Sequence, residues 1–148
     1  MLLGSSWDQE EANLASVISN FPDIQFIIAP HEVSIQRLSK IQNQFGENCA
    51  LLSACNSGEL PHILVVDRIG LLSELYSDSD VAFIGGGYTG KLHNVIEPAA
   101  KKNVILFGPK IDHFPEAVEM EKAGFAKRIK SQKELKETLF SFISKPDE

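Results

Sequence analysis

A Rossmann-like α/β fold, with a parallel sheet between two layers of helices, is predicted by three observations on this sequence of 148 residues. Short apolar runs such as residues 24–29 and 104–107 are continuous, as expected of strands covered on both faces. They alternate with longer segments whose apolar residues recur at helical spacing. No internal repeat or low-complexity segment interrupts this alternation. Because such alternation is typical of right-handed βαβ units, we expect a three-layer sandwich with about six parallel strands.

The first half of the chain is predicted to hold three helices between short strands. The first helix opens at a capping box, residues 8–11, and Pro22 stops it. The second helix presents one apolar face and ends at Gly46, and the third is short, over residues 71–76. The predicted strands of this half are residues 2–3, 24–29, 50–52 and 63–66.

The second half continues the same pattern. A helix over residues 94–102 follows a glycine-rich turn, and another over residues 114–123 ends at Gly124. A second capping box, residues 131–134, opens the last helix. The predicted strands of this half are residues 81–84, 104–107 and a weak edge strand at 125–129.

Composition and charge argue against several functional classes. The net charge is −6 and no Lys/Arg cluster forms a face, so binding to nucleic acid is not expected. No run approaches the ~20 apolar residues of a membrane span. Cys49 and Cys55 form no CxxC motif and are expected to be free thiols in a reducing cytosol. The histidines and acids lack metal-ligand spacing, so neither a metal nor another cofactor is expected.

The first predicted strand is unusually short. Leu2 and Leu3 resemble the tail of a strand, and residues 4–6 resemble the loop after it. A strand of ~3 residues is shorter than the usual ~5–6. We therefore expect the chain to be cut from a longer protein, with Met1 as a cloned start.

The most informative segment is residues 85–98, which begins with Gly85, Gly86 and Gly87 directly after a predicted strand. Glycines at the end of a strand let the backbone turn sharply and let a ligand come close. The helix start beyond them offers N–H groups and a positive dipole end to a phosphate or carboxylate. Glu97, one turn into that helix, can accept hydrogen bonds from ribose or sugar hydroxyls. This arrangement is typical of a nucleotide-sugar site, although three glycines at a strand end also form plain structural turns.

Loops at the carboxyl ends of the other strands carry further candidates, because ligands of parallel α/β sheets bind there. Arg68 offers a guanidinium fork to a carboxylate or phosphate. His31 can donate to a phosphate, with charge assistance when it is protonated. Ser5 and Ser6 can bond the same anions or cap the first helix, and Asn94 can contact a ligand or cap its own helix.

Several short segments, most of them at these loops, carry a resemblance to a known family. They are residues 4–7, 29–32, 67–72, 75–76, 79–87, 93–100 and 107–109. In their order they resemble the C-terminal, donor-binding domain of Kdo transferases (3-deoxy-D-manno-octulosonic acid transferases), which are GT-B glycosyltransferases. The resemblance covers nearly all of the chain, and its most specific part is the glycine triplet followed by the segment from His93 to Ala100 and by Phe107-Gly108-Pro109.

The resemblance implies that residues 1–148 form the C-terminal half of a GT-B fold and bind CMP-Kdo, the donor of Kdo to a lipid A precursor in lipopolysaccharide biosynthesis. It also implies that the acceptor site, the general base and any membrane contact belong to an absent N-terminal domain, at the cytoplasmic face of a Gram-negative inner membrane. Neither a catalytic residue nor a metal is then expected in this chain. Two alternatives stay open: the donor domain of another GT-B enzyme that uses a UDP-sugar, and a stand-alone binding module of flavodoxin-like topology. The expected donor-binding residues are Ser5, Ser6, Pro30, His31, Arg68, Ile69, Gly70, Gly85, Gly86, Gly87, His93, Asn94 and Glu97.

Overall fold

The computed structural model describes residues 1–144, in which seven parallel strands form one sheet. The α/β prediction is confirmed: each of the seven segments predicted as strands contributes a strand to the sheet, one more than the overall expectation of about six, and the short β3 and β7 pair at its edges. The strands are β1 (Leu2–Ser6), β2 (Phe26–Pro30), β3 (Cys49–Leu51), β4 (Ile63–Val65), β5 (Val81–Ile84), β6 (Val104–Phe107) and β7 (Ala126–Arg128).

Six α-helices connect or follow these strands and cover both faces of the sheet. They are α1 (Asp8–Val17), α2 (Ile35–Phe45), α3 (Leu72–Ser77), α4 (Ile96–Ala100), α5 (Pro115–Lys122) and α6 (Gln132–Ser144). On one face, α1, α2 and α6 bury Leu14, Ile41 and Leu139 against the sheet. On the other face, α3 and α5 bury Tyr76 and Ala117. This is the predicted three-layer sandwich, and within residues 1–144 no helix is long and apolar enough to cross a membrane.

The strand order is β3-β4-β2-β1-β5-β6-β7. Without the edge strand β3, this is the dinucleotide-binding order, in which the chain direction across the sheet reverses between β1 and β5. Three strands lie beyond β1 on the β2 side, whereas a flavodoxin-like sheet has one. The flavodoxin-like alternative is therefore wrong. Ligands of such sheets bind at the switch point, which here is the crevice between the carboxyl ends of β1 and β5.

The start of the chain differs from its prediction. Strand β1 spans five residues, Leu2–Ser6, and includes the segment predicted to be a loop. The pairing of β1 with β2 shifts register between Gly4 and Ser6, and Ser5 has a φ of 52°. A left-handed backbone at a residue other than glycine is strained, and such strain collects at functional sites. The predicted first strand was therefore too short. The bulge interrupts the regular alternation of side chains, so the sequence pattern does not show where the strand ends.

Two helix starts also differ in detail. Trp7 is the residue before α1, and its backbone N–H donates to the Oε2 of Glu10 at 3.1 Å. Glu10, and not Glu11, therefore caps the start of this helix. The predicted capping box was therefore shifted by one residue. Helix α4 begins at Ile96, later than predicted, because the Asn94 Oδ1 accepts the backbone N–H groups of Ile96 and Glu97 at 2.8 and 3.4 Å. Asn94 thus caps its own helix, one of the two roles left open for it.

Candidate functional site at the switch point

Two adjoining clefts lie at the carboxyl edge of the sheet, and His31 and Glu32 line both. The first, here called the arginine cleft, has a volume of about 480 Å³. The second, here called the tryptophan cleft, has a volume of about 450 Å³. The arginine cleft brings together Ser5, Pro30, His31, Arg68, Ile69 and Gly70, all of them predicted site residues. The tryptophan cleft is lined by Trp7, Glu10, His31, Arg37, Gly86 and Tyr88 among others.

The remaining predicted residues lie beside these clefts. His93 and Asn94 line a third, smaller cleft of about 300 Å³ together with Phe114. Glu97 is half-buried. The pKa of the Tyr76 hydroxyl is raised far above its ordinary value, mainly because Tyr76 is buried and also because the negative charge of Glu97 lies nearby. The Tyr76 ring packs against the backbone of Gly4, and Glu97 itself lines none of the three clefts.

The glycine triplet packs closely against neighbouring backbone. A Cβ on Gly85 would overlap the carbonyl oxygen of Ser5, and one on Gly87 would lie 2.5 Å from the nitrogen of Gly108. Gly86 has a φ of 91°, and all three glycines are buried. The N–H of Gly85 donates to the Gly4 carbonyl at 2.8 Å, and that of Gly86 donates to the Glu10 carboxylate at 3.0 Å. These two donors already serve the fold, so the triplet has a structural role, and ligand contact by it stays a prediction.

Three rings stack beside these clefts: Trp7 lines the tryptophan cleft, His31 lines both clefts, and His93 lines the third. The Trp7 and His31 rings lie 4.4 Å apart at an interplanar angle of 22°, and the His31 and His93 rings lie 4.5 Å apart. The Trp7 indole N–H donates to Nε2 of His93 at 3.3 Å. Trp7 remains 37 % exposed, so a ligand can reach its ring. The sequence predicted both histidines but not Trp7, although a tryptophan directly after a strand at this edge is a usable signal.

Two buried carboxylates support the floor of the site from α1. Glu10 and Glu11 are each 1 % exposed, and burial raises the pKa of both above the ordinary value. The Oε1 of Glu11 accepts from the Ser6 hydroxyl at 2.7 Å and from Arg37 at 2.6 Å. Ser6 is itself fully buried, so its hydroxyl supports the loop from below the surface.

Charges in the two clefts differ in how they are paired. In the tryptophan cleft, Arg37 pairs with Asp8 and Glu11, and Lys40 pairs with Asp8 at 2.7 Å. In the arginine cleft, the exposed side chain of Arg68 forms no ion pair or hydrogen bond within residues 1–144. An anionic ligand can therefore bind the Arg68 guanidinium without breaking an existing ion pair. The described part of the chain holds no cluster of His, Cys, Asp and Glu side chains able to bind a metal ion.

The imidazole of His93 is expected to titrate below the ordinary histidine pKa of 6.5. Burial disfavours its charged form, and the neighbouring His31 lowers its pKa further. A histidine with a lowered pKa in the folded state contributes stability above pH 6.5, and this contribution is lost as the pH falls toward the folded pKa. NMR titration of the ring signals measures the value, and His31→Gln should raise it. A His93 pKa of 6.5 or higher in the wild type would contradict this prediction.

Comparisons with known proteins agree with the resemblance. No protein-family model matches the chain. A probable mitochondrial 3-deoxy-D-manno-octulosonic acid transferase from Arabidopsis thaliana is 32% identical over 140 residues, 88% of this chain and 31% of the relative. The 3-deoxy-D-manno-octulosonic acid transferase of Rickettsia typhi is 27% identical over 153 residues, 97% of this chain and 33% of the relative. The chain thus spans about a third of the length of these curated relatives.

A solved structure matches nearly the whole chain. It is the C-terminal CMP-Kdo binding domain of WaaA from Acinetobacter baumannii, with a TM-score of 0.83 and 18% sequence identity. The match covers 99% of this chain and 80% of that domain. This likeness shows the fold, a Rossmann-like half of a GT-B glycosyltransferase, and the sequence matches show the relationship. The chain therefore belongs to the Kdo transferase family, as a homologue of the C-terminal domain of these enzymes.

Proposed function

We propose that this domain binds CMP-Kdo, as the donor half of an enzyme that transfers Kdo to a lipid A precursor. The observation that carries the proposal is the arginine cleft, which lies next to the switch point at the carboxyl ends of β1, β2 and β4, and which brings the unpaired Arg68 together with Ser5 and His31. The relatives are Kdo transferases, so a UDP-sugar donor is not favoured. The acceptor site, the general base and contact with the inner membrane belong, in this proposal, to the rest of the full-length enzyme.

The cleft offers what a nucleotide donor with a leaving phosphate needs. When the bond between Kdo and CMP breaks, negative charge develops on the departing phosphate, and fixed positive groups and N–H donors lower that barrier. Arg68 can supply a guanidinium fork, and the exposed His31 can supply a further donor. Glu97 accepts ribose hydroxyls in this proposal, and its position in the first turn of α4, just after the glycine-rich turn, supports that role. Activation of the acceptor hydroxyl is not assigned to any of these residues.

Titration of the ¹⁵N-labelled domain with CMP, UMP and AMP tests the proposal. We expect CMP to bind most tightly, with a dissociation constant nearer 1 mM than 1 μM, which corresponds to roughly 4–5 kcal/mol. Binding is expected to be weak because only one wall of the full cleft is available. The largest shifts should fall on amides of the two clefts, around Ser5, His31 and Arg68. Shifts spread evenly over the surface, or strongest with AMP, would argue against a cytidine-nucleotide site.

A further inference from the structure

Glu10 joins two loops that are distant in sequence. Its Oε2 accepts from the Trp7 N–H at 3.1 Å, and its Oε1 accepts from the Gly86 N–H at 3.0 Å. Trp7 follows β1 and Gly86 follows β5, so the carboxylate spans the switch point. The side chain is 1 % exposed, which leaves water little access to compete for either N–H. Both donors depend on this one carboxylate.

The bridge lies under two backbone segments that carry rings of the stack. Gly86 starts the turn that leads to His93: its carbonyl accepts from the Lys91 N–H at 2.9 Å, and the Gly85 carbonyl accepts from the His93 N–H at 3.1 Å. On the other side of the crevice, the Trp7 backbone carries the indole that stacks on His31 and donates to His93. A change in the distance between the Trp7 and Gly86 backbones would therefore be expected to change the spacing of the Trp7 and His93 rings.

We propose that Glu10 is a positioning residue for donor binding, because its buried carboxylate joins the backbones that carry Trp7 and lead to His93, and so sets the stack that these two rings form with His31. Glu10 lines the tryptophan cleft but is almost inaccessible, so it acts through the backbone groups that it holds. A carboxylate suits this task because both of its oxygens accept and both partners are N–H donors. The role in donor binding rests on the proposed function, whereas the effect on the rings does not.

Glu10→Gln tests the inference with little change in volume. The glutamine amide presents one acceptor and one donor, so one backbone N–H faces another donor and the bridge opens. We expect the signal of the Trp7 indole N–H to shift, since this chain has a single tryptophan and its hydrogen bond to His93 depends on the spacing. CMP affinity should fall about tenfold, equivalent to about 1.4 kcal/mol.

Glu134→Gln is the matched control. Glu134 is the third residue of α6, as Glu10 is of α1, and its Oε2 accepts a backbone N–H, that of Lys130, at 2.7 Å. Glu134 lines none of the three clefts of the candidate site. This variant should lose a similar capping bond while leaving the indole signal and CMP affinity unchanged. If Glu10 had only a structural role, the two variants would differ in stability but would show the same Trp7 indole signal and the same CMP affinity.

A second variant and a wild-type measurement keep the test decisive if Glu10→Gln does not fold. Glu10→Asp keeps the charge but is one methylene shorter, so it reaches one N–H and should shift the indole signal in the same direction. In the wild type, CMP should shift the indole signal during titration. An unchanged indole signal and unchanged affinity in a folded Glu10 variant would overturn the inference alone. Failure of the wild type to bind CMP would overturn the proposed function, and with it a role for Glu10 in donor binding.

Discussion

Replacement of Gly85 by alanine is expected to lower the free energy of unfolding by about 3 kcal/mol or more. The added methyl group would overlap the Ser5 carbonyl oxygen and lie 2.7 Å from the Ser5 carbonyl carbon. Both are backbone atoms of a central strand, so the methyl group fits only if β1 and β5 move apart. That movement would also lengthen the hydrogen bond from the Gly85 N–H to the Gly4 carbonyl oxygen, in which the two atoms now lie 2.8 Å apart. Urea denaturation followed by circular dichroism measures the loss.

Gly58→Ala is the control for this experiment. No atom lies within 4 Å of a Cβ at Gly58, and the backbone there does not have a positive φ. Its free energy of unfolding should change by no more than about 0.5 kcal/mol. If the Gly85 and Gly58 variants unfolded at the same urea concentration, the close approach of the two strands at the switch point would be refuted.

The central strands could be predicted because their residues are buried on both faces and form continuous apolar runs. The segment at residues 24–29 became β2, Phe26–Pro30, and that at residues 104–107 became β6 with its predicted bounds. The bulge in β1 could not be predicted, since the positive φ of Ser5 depends on contacts with strands distant in sequence. Propensity alone gives no reason for a serine to adopt that conformation.

The position of the candidate clefts followed from a general rule about parallel sheets, but the contacts within them did not. Ser5, His31 and Arg68 were predicted from the loops that follow the strands, and the structure places all three in one cleft. Trp7 and Glu10 were missed because their partners, His93 and Gly86, lie far along the chain. In the sequence alone Glu10 is an ordinary acid in the first turn of a helix, where it stabilises the dipole in any fold.

The two clefts also differ in what they offer to a charged ligand. The cations of the tryptophan cleft, Arg37 and Lys40, already bond to acids of α1. An anion entering there would compete with Asp8 and Glu11, and separating a buried pair is costly. In the arginine cleft, Arg68 forms no ion pair within the described residues that an anion would have to break, although Glu32 lines the same cleft. The proposed donor phosphate would therefore meet less competition in the arginine cleft than in the tryptophan cleft.

Arg68→Ala is accordingly expected to weaken CMP binding by roughly 10–100-fold, the equivalent of about 1.5–3 kcal/mol for a bond to a charged group. The fold should not change, because the side chain is exposed and holds no partner within residues 1–144. Arg68→Lys keeps the charge but loses the planar fork, so its affinity should lie between those of the wild type and the alanine variant. Calorimetric or NMR titration with CMP measures the three affinities.

Lys122→Ala separates a specific contact from a general effect of charge. It removes the same single positive charge from an exposed residue at the end of α5, where Lys122 lies 3.7 Å from Glu119. That end of α5 lies away from the carboxyl edge of the sheet, because the helix runs back against the strands. At an ionic strength near 0.15 M, charges more than about 8 Å apart in water are largely screened, so this variant should bind CMP as the wild type does. Equal losses in the Lys122 and Arg68 variants would mean that Arg68 acts only through the net charge of the domain and not as a ligand of the phosphate.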